Sequence, residues 1–219
     1  MENPSAPVVE TRQGALIGFT EGDTHVWCGI PYAAPPVGPW RWRSPRPPAR
    51  WDGVRPATAF SASSWQSSES CQELGGGDPG QFSEDCLYLN VWSPVARADP
   101  LPVMVWLHGG GFTLGAGGLP PYNGRALAKR GTVVVTINYR LGHLGFFAHP
   151  ALEGEEERVV HNFALLDQIK ALEWVRDNIA AFGGDPENIT VFGESAGARS
   201  VLSLMASPLA GGLDRKSVV

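Results

Sequence analysis

The chain has 219 residues, which suits one large domain or part of a bigger one, and 43% hydrophobic with 18% charged residues is an ordinary globular composition that promises a buried core. A formal net charge of −5 argues against nucleic acid as a main partner, because phosphate binding needs a concentrated basic surface. No apolar run approaches the ~18 residues of a membrane helix, and the first residues carry neither a basic nor an apolar signal region, which favours a cytoplasmic protein over a secreted one, although a mature secreted form would look the same.

In chain order, residues 1–30 hold three short apolar stretches, at 8–10, 14–19 and 25–30, which predict a small antiparallel meander. Residues 31–85 are rich in Pro, Ser and Gly and too long for a simple connection, so they are expected to wrap over the surface and shape a functional rim. The core runs from 86 to 207. Residues 87–92, 102–107 and 132–138 are β-rich, and the last has the continuous apolar look of a strand buried on both faces. A short helix is expected at 123–130. A long one is expected at 161–182, where Leu166, Ile169, Leu172, Val175, Ile179 and Phe182 form one stripe and Gly183 supplies the stop. Glu155-Glu156-Glu157 before it reads as a solvated loop. A strand at 188–192 and a helix at 196–206 follow, then a tail at 208–219. Strands alternating with helices imply a mostly parallel sheet covered on both faces.

Two tracts carry chemistry. Gly193-Glu194-Ser195-Ala196-Gly197 fits the nucleophile elbow, in which a tight strand-to-helix turn strains the serine backbone and side chains two positions away would collide. Short patterns arise by chance, and a glycine-flanked surface turn is the alternative. The preceding strand Ile189-Thr190-Val191-Phe192 and the following helix supply the required context, and a helix N-terminus favours developing negative charge. His108-Gly109-Gly110-Gly111-Phe112 directly follows the strand at 102–107. Three glycines there let bare N–H groups face a substrate carbonyl, and one well-placed donor is worth ~3–4 kcal/mol in the transition state. A phosphate loop would continue Gly-Lys-Ser/Thr, and none follows; the spacing also fails the dinucleotide pattern. The tract reads as an oxyanion loop.

The chain resembles the type-B carboxylesterases, the family of bacterial para-nitrobenzyl esterases, mammalian carboxylesterases and cholinesterases. The matching segments are Gly29-Ile30-Pro31-Tyr32-Ala33 with Pro35-Pro36, Ser83-Glu84-Asp85-Cys86-Leu87-Tyr88-Leu89-Asn90-Val91 and the triple-glycine loop. Further on come Asn138-Tyr139-Arg140-Leu141-Gly142, Leu165-Leu166-Asp167-Gln168 and Phe182-Gly183-Gly184-Asp185-Pro186, leading into the elbow. The resemblance implies an α/β-hydrolase fold, in its N-terminal portion only, and hydrolysis of a small-molecule carboxylic ester through a serine acyl-enzyme, with no cofactor, no metal and no specific protein partner. It makes Ser195 the nucleophile and gives the oxyanion-hole N–H groups to Gly110, Gly111 and Ala196. Glu194 resembles the family's buried acidic residue beside the nucleophile, a structural ion pair being the alternative. Several extracellular members close a disulfide at positions matching Cys71 and Cys86; two reduced thiols are the alternative, and Cys28 reads as an inert core residue. A Pro-x-x-Pro-x-Arg pattern at Pro45, Pro48 and Arg50 suggests an SH3 ligand, but it coincides with a family segment that packs on the domain.

Some positions depart from the family. His161 and Ala164 stand where glycine is common, His143 where proline is frequent, and Arg199 lies just beyond the elbow, where it would tune the pocket or pair with an acid. All 5 histidines precede Ser195 and only Asp214 among acids follows it, whereas this fold orders its triad as serine, acid, histidine. The chain is therefore expected to be inactive alone, with His108 bracing the oxyanion loop rather than serving as base. Its last residues leave the family pattern and read as an abrupt end, which predicts an unpaired apolar edge along the strand before Ser195. Two other readings stand beside the esterase. A non-catalytic cholinesterase-like interaction module would generally have lost the serine, and Glu84-Asp85-Cys86-Leu87-Tyr88-Leu89-Asn90 argues against a hormone-sensitive-lipase-like branch.

Overall fold

A computed structural model describes residues 6–97, 100–152, 161–213 and 216–218. The acidic run Glu155-Glu156-Glu157 and Asp214 lie outside the described residues.

The opening stretches divide between two sheets instead of forming one meander. β1 (Val8–Glu10) and β2 (Ala15–Ile17) pair antiparallel, and β5 (Val54–Pro56) joins β2 in parallel. β3 (Phe19–Glu21) and β4 (Thr24–Pro31) form a hairpin that belongs to the second sheet. Gly18 makes the division. Its N–H donates to the Pro7 carbonyl at 2.9 Å, and a Cβ there would strike the Val26 carbonyl and lie 2.6 Å from the Trp27 ring. Gly18 thus closes the β1–β2 ladder while passing hard against β4, and the run at 14–19 is divided between the two sheets.

The second sheet has seven strands in the order β10-β9-β7-β8-β6-β4-β3, adding β6 (Tyr88–Pro94), β7 (Leu101–Leu107), β8 (Val133–Ile137), β9 (Gly184–Gly193) and β10 (Lys216–Val218). From β10 to β8 the pairings are parallel, and from β8 to β3 antiparallel. Every residue of β8 is buried, as its unbroken apolar run foretold. β10 corrects the expectation of a bare edge along β9: Lys216–Val218 lie in register with residues 190–192, so the open edge moves out to β10 itself.

Helices occupy α1 (Ser68–Glu73), α2 (Arg125–Ala128), α3 (Gly142–Phe146), α4 (Phe163–Asn178) and α5 (Ala196–Ala206). The long helix expected at 161–182 ends early. Asn178 leaves helical geometry at φ −128°, its side chain donates to the Trp174 carbonyl at 2.9 Å and accepts from Arg12 N–H at 2.8 Å, and a 3-10 turn runs Ile179–Phe182 to Gly183 at φ 85°. An amide that bonds the preceding turn competes with the helix ladder. The apolar stripe still works: Ile169, Leu172, Val175, Ile179 and Phe182 are buried in one core with the strands.

Residues 31–85 are largely irregular, as expected, and polar pins hold them down. The Tyr32 hydroxyl donates to the Asn138 carbonyl at 2.6 Å, Asn138 Nδ2 donates to the Ala62 carbonyl at 3.1 Å, and Leu141 N–H donates to Ser64 Oγ at 3.1 Å. The Pro-x-x-Pro-x-Arg stretch packs on its own chain: Arg50 Nε donates to the Arg12 carbonyl at 2.9 Å and the Arg46 guanidinium stacks 3.8 Å from the Trp40 ring centre. Arg140, just past β8, forks onto Asp167 of α4, with Nε–Oδ2 at 2.8 Å and Nη2–Oδ1 at 2.7 Å. Exposures of 2% and 0% make this a desolvated pair, in which removing one partner strands the other charge at a cost of about 3–5 kcal/mol. These two motif residues are framework.

Candidate active site

Ser195 stands between β9 and α5 with φ 56° and ψ −114°, a conformation that costs about 1–3 kcal/mol for a residue with a Cβ. The crowding that imposes it is explicit. A Cβ on Gly193 would lie 2.6 Å from the Gly197 backbone and 2.8 Å from the Leu107 carbonyl, and one on Gly197 would strike that same carbonyl. The elbow closes through Gly197 N–H to the Glu194 carbonyl at 2.8 Å and Arg199 N–H to the Ser195 carbonyl at 3.1 Å. Serine at a helix N-cap ordinarily accepts a hydrogen bond from a backbone N–H of the first turn. Ser195 makes no such bond, so its hydroxyl is left free for other work.

The glycine loop faces it. Ser195 and Glu194 line one cavity of about 480 Å³ with Gly109, Gly110 and Gly111. Gly109 passes so near the elbow that a Cβ on it would sit 3.2 Å from Ser195 Cβ and 2.6 Å from Glu194 Oε2. Gly110, Gly111 and Phe112 all have positive φ, at 102°, 61° and 64°. The Gly110 carbonyl turns inward to accept Thr113 and Leu114 N–H at 3.0 Å each. Among the described residues, the N–H groups of Gly110, Gly111 and Ala196 have no protein acceptor. For Ala196 this follows from its place in the first turn of α5, where helix donors are unsatisfied and the dipole is positive.

His108 lies under this loop, fully buried. Its ring stacks on Tyr139 at 4.3 Å, Nδ1 and the Gly109 carbonyl are 2.9 Å apart, and the Tyr139 hydroxyl donates to the His108 carbonyl at 2.6 Å. Burial holds the imidazole neutral, its pKa pushed down to about 4 despite the Gly109 bond. It braces the loop and does not line the cavity. Neither do His25, His143, His149 or His161.

Glu194 is exposed and lines the cavity beside Ser195, and among the described residues it joins no ion pair. Arg199 is exposed as well. Of the two alternatives left open for Cys71 and Cys86, the structure has the free thiols: both are buried, and they pack into different clusters. Cys71 sits with Ala116, Leu119 and Tyr122, whereas Cys86 lies in the main core. Cys28 is buried in β4, and burial pushes its thiol up to about 12.

Further wall of the cavity comes from Cys71 and Leu74 in the wrapping region, where a functional rim was expected, and from Leu119 and Tyr122, which sequence reasoning missed. The Tyr122 ring leans on Trp106 at 5.2 Å, and burial, with the Glu194 carboxylate nearby, raises its hydroxyl pKa. Nothing in the local pattern marks Leu119 and Tyr122, because they join the wall only by packing with Cys71 of the wrapping region. A smaller cavity of about 210 Å³, lined by Phe60, Ser61, Asp78, Asn90 and Asn138 among others, contains neither the elbow serine nor the triple-glycine loop. Among the described residues no helix is long and apolar enough to cross a membrane.

Residues 5–219 match the carboxylesterase family. The chain is 51% identical over 213 residues to the para-nitrobenzyl esterase of Bacillus subtilis (strain 168), covering 97% of this chain and 43% of that protein. It is 52% identical over 205 residues to the fumonisin B1 esterase of Sphingopyxis macrogoltabida, covering 92% of this chain and 37% of that one. A solved PNB esterase superposes with a TM-score of 0.91 at 48% identity, over 97% of this chain and 43% of that chain. The chain thus spans less than half the length of these relatives, and its sheet and elbow are those of their α/β-hydrolase fold. It belongs to the carboxylesterase family.

Proposed function

We infer that Ser195 is the nucleophile of a carboxylic ester hydrolase, with Gly110, Gly111 and Ala196 donating to the oxyanion. One observation carries the reading: a serine hydroxyl without a capping role shares a cavity with a glycine loop whose N–H groups have no protein acceptor. In the reaction, Ser195 Oγ bonds to the ester carbonyl carbon while its proton passes to a base. The carbonyl π pair moves to oxygen, where the three N–H groups hold the charge. Collapse expels the alkoxide, which takes the proton, and leaves an acyl ester on Ser195. Water repeats the sequence and releases the acid.

The base is not supplied from within this cavity, since none of the 5 histidines lines it. The 219-residue chain by itself is therefore close to inert, because loss of the base alone costs about 10⁶-fold in subtilisin. Steady turnover of p-nitrophenyl acetate by the chain and by its Ser195→Ala variant should be indistinguishable. On long incubation with excess ester, peptide mass spectrometry should find a slowly formed acetyl group on Ser195. Clear Ser195-dependent turnover would refute the inertness, and acetylation confined to lysines would refute the nucleophile.

A further inference from the structure

Among the described residues, three that carry a side chain have a left-handed φ: Ser195, Phe112 at 64° and Trp42 at 56°. The crowding at the elbow accounts for Ser195. The other two are aromatic, and a bulky side chain at positive φ is an outlier that something must hold in place. Both are held by α3. The Phe112 carbonyl accepts Gly142 N–H at 2.7 Å, and its ring meets Phe146 edge-on at 5.1 Å. Trp42 Nε1 donates to the His143 carbonyl at 2.8 Å, and its indole packs on Phe147, just past the helix, at 4.8 Å. α3 itself has no room to move. A Cβ on Gly145 would strike the Arg140 carbonyl and lie 2.9 Å from Ala164 Cβ on α4, so the helix is pressed onto the framework that Arg140 and Asp167 lock.

Phe112 is also the odd member of its loop. Gly109, Gly110, Gly111, Thr113, Leu114 and Gly115 all line the cavity with Ser195; Phe112 does not, and its ring packs on the main core. Gly111 beside it has no such hold. Among the described residues, neither its N–H nor its carbonyl bonds the protein, and open space surrounds the place of its Cβ.

We propose that Phe112 is a positioning residue of the oxyanion hole: seated on α3 through its ring and its carbonyl, it fixes the left-handed turn that aims the Gly110 and Gly111 N–H groups. Glycines turn either way at little cost, so by themselves they would let the peptide planes rotate and offer a carbonyl oxygen where a donor is needed. Donors stabilise a developing oxyanion because they already point at it and need no reorganisation during the reaction. The one residue of the loop that keeps a large side chain out of the cavity supplies that order from behind. The proposal rests on the ester-hydrolase reading of Ser195 for its kinetic consequence alone.

The test joins nuclear magnetic resonance on the isotopically labelled chain to the acetylation of Ser195. Residual dipolar couplings report the directions of N–H bonds. In Phe112→Ala the couplings of Gly110 and Gly111 should fall toward zero, while those of Val135 in β8 and Ala196 in α5 keep their values. Phe146→Ala, which leaves every residue of the loop intact, should do the same. The rate of Ser195 acetylation by p-nitrophenyl acetate, read by peptide mass spectrometry, should drop at least about 10-fold in each variant. The double variant Phe112→Ala, Phe146→Ala should be no slower than Phe112→Ala, because the two rings form one contact. Loop couplings unchanged in the folded Phe146→Ala chain overturn the proposal, and so do acetylation losses that multiply in the double variant. Acetylation of lysines alone in the unsubstituted chain refutes the ester-hydrolase reading instead, and the couplings then still decide whether Phe112 aims the loop.

Discussion

At the elbow, Gly193 and Gly197 have ordinary backbone angles and no room; in the loop opposite, Gly111 has room and no ordinary backbone angle. A Cβ on Gly197 would strike the Leu107 carbonyl, whereas one on Gly111 would meet only Thr113 Oγ1, at 3.8 Å. Gly111 is held instead at φ 61°. Gly110 combines both constraints, with φ 102° and the Leu114 carbonyl where a side chain would go. The elbow is glycine because two backbones touch, which fixes where the serine stands. Gly110 and Gly111 are glycine because the chain there turns left-handed, whereas Gly109, which has no positive φ, belongs with the elbow glycines in having no room. Position and charge stabilisation are thus encoded by the same residue type for separate steric reasons.

Substitutions should separate the two reasons. Gly197→Ala has rigid backbone to displace, so we expect a loss of about 4 kcal/mol or more in urea unfolding, or no soluble protein. Gly111→Ala should cost only about 1–2 kcal/mol, the price of a left-handed alanine. Comparable losses at the two positions would show that contact and dihedral do not divide as described.

Beneath the loop, His108 tests the same distinction through pH. Its imidazole titrates near 4 when folded and at the ordinary 6.5 when unfolded, so below pH 6.5 the unfolded chain binds a proton that the native one refuses. The stability it contributes is present above pH 6.5 and drains as pH falls toward 4, by about 3 kcal/mol. His108→Phe keeps an aromatic ring against Tyr139 and removes the titration. Unfolding curves from pH 7 to pH 4 should therefore slope less for the variant; equal slopes would place the lost stability elsewhere.

The smallest effect belongs to the nucleophile. Ser195→Gly removes the strain of a Cβ at φ 56° and adds glycine's unfolded-state entropy, for a net stabilisation of about 1 kcal/mol. A fall in the unfolding midpoint would mean that the elbow is relaxed.

Much of this was readable beforehand because the signals are local. The helix at 196–206 and the buried run at 133–137 follow from residue pattern alone, and so do the two glycine tracts. Where reading failed, the deciding contact lay far along the chain. Gly18 looks like an interior residue of one strand until Val26 and Trp27 cross it. Asn178 looks like helix until Arg12 takes its side chain. The choice left open at Cys71 and Cys86, a disulfide by family likeness or two free thiols, was likewise decided by the different clusters they join.

The sequence by itself determined where the chain bends sharply and where its amides lie bare, because a missing Cβ is a property of each residue and needs no partner. Tertiary structure alone decided that the serine and those amides share one cavity, that Glu194 faces outward and that β10 closes along β9. Each of these depends on which distant segment lies opposite, and the free energy of such a meeting is written in neither segment separately.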